Sequence, residues 1–226
     1  MGQFNIVLIG PPGSGKGTQA ARICERHQVP MISTGDILRA AVKAGSPLGK
    51  QVQAIIATGG LVSDQMMVDL VAHRLAQDDA RDGFVLDGFP RTVVQAEELD
   101  RMLDGRPFLA IVLVVPEAEL ERRLGARRIC SQCRTLYTTG TLYGGSEEEL
   151  CSSCGATLIR RDDDNIQTIR HRLLTYRQTA EPLIEHYQHR SALAVIDGMR
   201  SPEDVARGIL DEITTNLTGV SRSLQG

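Results

Sequence analysis

Residues 10–18 read GPPGSGKGT: a glycine, four residues, then Gly15 and Lys16. A glycine-rich turn between a strand and a helix points backbone N–H groups inward, and with the helix N-terminus it forms a nest for phosphate. Lys16 adds a mobile positive charge near a transferred phosphoryl group. The next position should carry a Ser or Thr hydroxyl for magnesium, but Gly17 stands there and Thr18 comes one place late. Magnesium must then be held mainly by other groups, such as carboxylates reaching it through water, unless Thr18 takes part. Asp87 is the best candidate. It closes the apolar run FVLD, and strand C-termini face the ligand crevice in open α/β sheets. A buried carboxylate with no duty there would be costly.

Phosphoryl transfer between two polyanions needs fixed cations, positioning and exclusion of water more than covalent chemistry. Only Lys16, Lys43 and Lys50 are lysines, and all other basic residues are Arg. The bland reading of that total is a bias toward Arg codons, yet planar bidentate donors suit phosphate. Arg39 follows STGD, and Arg91 lies in the loop after the third apolar run. Arg123 and Arg127 are four apart on one helix, hence on one face, which argues for a shared anionic partner. Arg161 and Arg172 flank the end of a cysteine-bearing segment and the start of the next helix. For Arg127 and Arg161 a solvated surface role stays open, and Arg122, Arg128, Arg160 and Arg170 read as surface residues. Asp163 and Asp164 suggest an acid/base pair, but a phosphate acceptor is already anionic. They read better as a hinge and a helix N-cap, with Asp164 ahead of Asn165. Asp36 either caps its helix or reaches toward Lys16 and magnesium-bound water.

Cys130 and Cys133 form one CxxC pair and Cys151 and Cys154 another, with seventeen residues between. Two such pairs are a strong signal for structural zinc, with four thiolates closing the coordination shell. A redox pair or an empty site is the alternative. Cys24 reads as a small core residue. The segment also carries Arg134 and Glu147–Glu149, so it is no basic patch for nucleic acid.

Five short apolar runs must position these groups: FNIVLI (4–9), VPMIS (29–33), FVLD (84–87), FLAIVLVV (108–115) and LAVID (193–197). They are nearly continuous, as strands buried on both faces of a parallel sheet require. Helical patterns lie between them at 18–28, 37–58 with a break near Gly45–Gly49, 64–77, 95–103, 117–128, 166–190 and 202–217. The alternation predicts an α/β fold: a phosphate-loop, doubly wound, five-stranded parallel sheet with helices on both faces. Residues 1–33, 64–128 and 162–226 form the core, 34–63 a first insert and 129–161 a second, small zinc-bearing one. The polar tail from Thr214 (214–226) is expected to fray.

A chain of 226 residues with 42% apolar and 23% charged residues suits one domain with a small inserted module. Its net charge of −3 gives no reason to expect bulk nucleic-acid or anionic-membrane binding. The apolar start runs straight into the glycine loop and no stretch suits a membrane span, so the expected compartment is the cytoplasm. Met1-Gly2 lacks the Ser or Thr that myristoylation wants, since Ile6 stands there.

GPPGSGKGT, STGDILR (33–39) and LDGFPRT (86–92), with Gln95 just after, resemble the adenylate kinases of the nucleoside monophosphate kinase family. The resemblance runs from Phe4 to about Arg200, and the Gly-Lys-Gly-Thr ending is that family's usual form. The four-cysteine insert resembles the zinc-bearing lid of some bacterial members, with Arg134 where a Gly often follows the first pair. The resemblance implies a monomer catalysing ATP + AMP ⇌ 2 ADP with magnesium, and closure of flap (34–63) and lid to exclude water.

Gly35, Gly59 and Gly60 would serve as hinges of that flap. ATP would meet Gly13, Ser14, Gly15, Lys16, Gly17 and Thr18, with Arg123, Arg127, Gly198 and Arg200 on its far side. AMP would meet Thr34, Arg39, Ile56, Leu61, Val62, Gly88, Arg91 and Gln95, with Thr34 and Gln95 facing the adenine. Arg161 and Arg172 would bridge both, and Lys16, Asp87, Arg91, Arg123, Arg161 and Arg172 would carry catalysis. Asp163 would pair with active-site Arg on lid closure. A kinase for UMP, CMP or GMP is the nearest rival, and a non-catalytic nucleotide-binding regulator is a rival of another class.

Overall fold

In a computed structural model, residues 4–139, 149–190 and 192–218 are described. The main sheet is five-stranded and parallel, in the order β2-β3-β1-β4-β8. β1 (Phe4–Ile9) pairs with β3 (Gly83–Asp87) and β4 (Leu109–Val114); β2 (Met31–Ser33) and β8 (Leu193–Asp197) form the edges. Alternation along β1 sends Ile6 and Leu8 to one apolar core and Val7 and Ile9 to another. Both faces of the strand are therefore buried, the reason for its unbroken apolar run.

One face packs α1 (Lys16–His27) and α8 (Pro202–Ile213). The other packs α4 (Asp64–Leu75), α5 (Val93–Leu103) and α7 (Ile166–His189). α1 starts at Lys16, earlier than the apolar pattern implied, because Gly15 takes the left-handed conformation at its N-cap (φ 99°). β2 leaves out Val29 and Pro30; Pro30 has no N–H to donate and contributes only its carbonyl, to Val85 N.

The first insert is two helices, α2 (Thr34–Lys43) and α3 (Pro47–Thr58). The break falls at Gly45 and Ser46, where Gly45 has φ +62° and Ser46 caps α3. Gly49 is no breaker: it lies within α3, and a Cβ there would sit 2.1 Å from Ala41 O. It lets α2 and α3 approach. The C-terminal carbonyls of α3 dock on α7, where Thr168 Oγ1 donates to Ala57 O (3.2 Å) and His171 Nδ1 lies 2.7 Å from Thr58 O.

After α6 (Glu117–Ala126) a second, antiparallel sheet of β5 (Arg127–Cys130), β6 (Leu136–Thr138) and β7 (Leu158–Ile159) forms, in the order β6-β5-β7. It begins ahead of residue 129, where the composition changes. Asp164 does not cap α7, as the sequence suggested: Asn165 does, accepting from Thr168 N at 2.9 Å. Thr214–Thr218 continue α8 as a π turn, so the polar tail is still helical there; residues 219–226 lie outside the described set, as do Glu147 and Glu148. Among the described residues no helix is long and apolar enough to cross a membrane.

Candidate active site

The C-terminal ends of β1, β2, β3 and β8 open into a cleft of about 960 Å³. The phosphate loop forms its floor. Lys16 Nζ curls back to Gly10 O (2.7 Å) and Pro11 O (2.9 Å), which holds it over the nest. Gly198 presses against the loop: a Cβ there would sit 2.5 Å from Val115 Cγ2 and 3.4 Å from Ser14 O. A Cβ on Gly17 would be 3.5 Å from Asp87 Oδ2 and 3.7 Å from Leu136 Cδ1. Gly17 thus sits between the carboxylate and the second sheet, and the absent side chain leaves that gap open.

Eleven basic side chains line the cleft against four carboxylates, Asp36, Asp87, Glu119 and Asp163, in a chain whose net charge is −3. The excess of cations is therefore local, and a polyanion is its natural complement. Burial pushes the Lys16 ammonium down to about 8; Asp87 pulls it back up, and Arg91, Arg172 and Arg127 add to the fall. Burial and the neighbouring Arg172 push Arg91 down to about 10, against the pull of Asp87. Burial, Arg127 and Arg39 do the same to Arg161, also to about 10. Guanidinium groups keep their charge in proteins, so these shifts express crowding that a bound anion would relieve.

The carboxylates tie this cluster together. Asp163 lies 2.9 Å from Arg172 and 4.0 Å from Arg39. Burial would raise its carboxyl, but Arg172, Arg39, Arg127 and Arg161 outweigh burial and hold it low. Asp164, fully buried, takes the Arg127 guanidinium in a fork and Arg172 at 3.2 Å. Asp36 neither caps α2 nor reaches Lys16. Ser33 is the cap, and Asp36 instead accepts from Arg39 at 2.7 Å. Arg123 is fixed by Glu119 (2.8 Å) and by donating to Gly198 O (3.0 Å). Arg128 is not the surface residue expected: it is buried, donating to Gly125 O and Arg127 O.

Every residue that the sequence proposed for nucleotide contact lines this cleft except Thr34. Thr34 is fully buried, and its hydroxyl donates to Gly88 O at 3.0 Å. That bond places the Gly88 turn (φ +86°), where a Cβ would come within 3.1 Å of Arg91 Nη2. Arg91 in turn donates through Nε to Gly88 O at 2.8 Å.

The sequence reading missed Glu119, Tyr176 and the β6 residues Leu136 and Tyr137, which also line the cleft. Glu119 and Tyr176 each sit four residues from an assigned Arg (Arg123 and Arg172), a spacing that could have found them. No local signal marked Leu136 or Tyr137.

A family model described as adenylate kinase matches residues 8–192. The chain belongs to the adenylate kinase family. It is 46% identical over 210 residues to an adenylate kinase of Thermodesulfovibrio yellowstonii, covering 91% of this chain and 97% of that one. It is 46% identical over 212 residues to one of Trichlorobacter lovleyi (91% and 97%) and 43% over 210 to one of Archaeoglobus fulgidus (91% and 96%). It is therefore a phosphotransferase of the nucleoside monophosphate kinase class.

In the second sheet the Sγ atoms of Cys130, Cys133, Cys151 and Cys154 all lie within 4.8 Å of one another. Cys130 and Cys154 Sγ are 3.4 Å apart, and Cys133 and Cys151 3.5 Å. A tetrahedral metal with bonds of about 2.3 Å to sulfur needs a spacing of about 3.8 Å, so the four thiols fit such an ion. Gln132 N and Cys133 N both donate to Cys130 Sγ, and the Tyr137 hydroxyl, 3.2 Å away, draws the Cys151 thiol down to about 6. Each pair is followed by a left-handed residue, Arg134 at φ +63° and Gly155 at φ +73°.

Proposed function

We propose that the chain catalyses ATP + AMP ⇌ 2 ADP in one cleft, with ATP phosphates on the loop side and AMP between the helical flap and α5. The single observation that carries this is the concentration of cations around Lys16, Arg91 and Arg172 at the mouth of the phosphate loop. Backbone N–H groups of Gly13–Thr18 would cradle the donor phosphates, with Arg123, Arg127, Gly198 and Arg200 on the far side. Arg39 and Arg91 would grip the acceptor phosphate, and Arg172 and Arg161 would neutralise the group in flight. Ile56, Leu61, Val62, Gly88 and Gln95 would enclose the acceptor base. Closing flap and lid would exclude water, against which the transferred phosphoryl must be protected.

Asp87, with Thr18, would hold magnesium through water, since Gly17 offers no hydroxyl. When bound, magnesium neutralises charge on the donor phosphates. Cys130, Cys133, Cys151 and Cys154 would hold a structural zinc ion, a staple for a lid sheet too small for a core of its own. The working form is a cytoplasmic monomer, free of nucleic acid and membrane.

The test is ADP formation by zinc-loaded protein from magnesium–ATP with AMP, UMP, CMP or GMP. Turnover with AMP alone supports the reading. Preference for another monophosphate would keep the phosphate machinery and overturn the base assignment. No turnover with any would overturn the roles given to Arg91 and Asp87.

A further inference from the structure

The Gln95 side chain is 1% exposed yet forms part of the cleft wall. Both ends of its amide are already engaged. Oε1 accepts from the Arg91 backbone N–H at 2.8 Å, and Nε2 donates to Asp64 Oδ1 at 2.8 Å. Asp64 opens α4, directly after the flap, and the same Oδ1 also accepts from the Thr92 hydroxyl at 2.9 Å. Thr92 caps α5, accepting from Gln95 N at 3.2 Å.

The two ends of a glutamine amide are nearly the same size, so only their partners decide which way it faces. A carboxylate can only accept and a backbone N–H can only donate. Turned over, the Gln95 amide would set C=O against carboxylate and NH₂ against N–H. Asp64 and the Arg91 amide therefore lock a single orientation, leaving one N–H and one carbonyl lone pair for a ligand. Their order matters for purines. A 6-amino purine offers an acceptor at N1 and a donor at C6; a 6-oxo purine offers a donor at N1 and an acceptor at C6. The same glutamine suits one class in one orientation and the other class when flipped.

We infer that Asp64 is a positioning residue that sets base specificity: through Gln95 it admits a 6-amino purine monophosphate and rejects the 6-oxo purines. This rests on Gln95 facing the acceptor base. In Asp64→Asn the acceptor-only partner becomes an amide that can donate to a flipped Gln95, so one side of the lock is lost.

The experiment measures kcat/KM for AMP and for inosine monophosphate in wild type, D64N, D64S and Q95L, with thermal unfolding of each. D64S keeps a residue suited to a helix start should D64N fold poorly. The AMP/IMP ratio should fall about tenfold in D64N and D64S, as expected for one misdirected hydrogen bond, with KM for AMP moving more than kcat. A fall in Q95L with none in the Asp64 variants would overturn the role of Asp64 alone. An unchanged ratio in Q95L would overturn the placement of Gln95 and this inference with it. Equal losses for both nucleotides in D64N and D64S would make Asp64 merely structural and overturn the inference too.

Discussion

Asp164 gives the sharpest test of how the cation cluster is held. Its side chain has no exposure and sits between Arg127, the first residue of the lid sheet, and Arg172 of α7. Asp164→Asn keeps the shape and removes the charge, and one end of the new amide must then point an N–H at a guanidinium. Removing one partner of a buried ion pair costs about 3–5 kcal/mol. Arg127 and Arg172 keep 16% and 19% exposure, and Asp163 still faces Arg172 at 2.9 Å. Solvent screening and that remaining partner reduce the expected loss to about 2–3 kcal/mol. For a chain of this size the loss corresponds to a Tm lower by about 4–12 °C. A non-hydrolysable bisubstrate analogue should restore much of it, because its phosphates supply the missing negative charge. The assay is calorimetric unfolding of wild type and D164N, with and without the analogue. A Tm within about 1 °C of wild type in the free protein would refute the claim that Asp164 holds the lid to the core.

Burial pushes the Lys16 ammonium down to about 8, and a bound phosphate favours its charged form. Nucleotide binding should therefore take up a proton around pH 8, and affinity for ATP should weaken above it, by at most about tenfold per pH unit. Binding calorimetry in buffers of different ionisation enthalpy checks this; no uptake at pH 8 would contradict it. Chelation of zinc, or Cys151→Ser, should loosen the lid, adding a low-temperature unfolding step and weakening ATP more than AMP binding. Identical melting curves for zinc-free and zinc-loaded protein would tell against a structural ion. Arg134→Gly and Arg134→Ala both remove the guanidinium, but only Gly suits φ +63°. The Gly variant should be more stable by about 0.5–1 kcal/mol, after subtracting the greater freedom of unfolded Gly, and hold zinc more tightly in chelator competition.

Strands and phosphate loop were legible because each rests on a local pattern: a doubly buried apolar run, or glycines at a fixed spacing before a lysine. The four thiols were legible for the same reason. What escaped was pairing across distance. Thr34 stands in a motif, yet its hydroxyl serves a carbonyl of the β3 loop more than fifty residues away. Arg128 looks like any exposed arginine until β5 turns it inward onto Gly125 O and Arg127 O.

Asp163 and Asp164 show why such pairings matter. Adjacent carboxylates ahead of a helix read locally as a cap and a hinge, and Asn165 already does the capping. The arginines that phosphate chemistry calls for come from α2, the loop after β3, the junction of α6 with β5, and both flanks of the turn before α7. Without bound phosphate these like charges repel one another. Two carboxylates placed at 163 and 164 reach Arg39, Arg127 and Arg172 at once, so one short turn can keep flap, lid and core cations together. The pair is useful because it is incomplete: eleven cations against four carboxylates leave the cleft short of negative charge, and the nucleotide phosphates are what the remaining cations are arranged to receive.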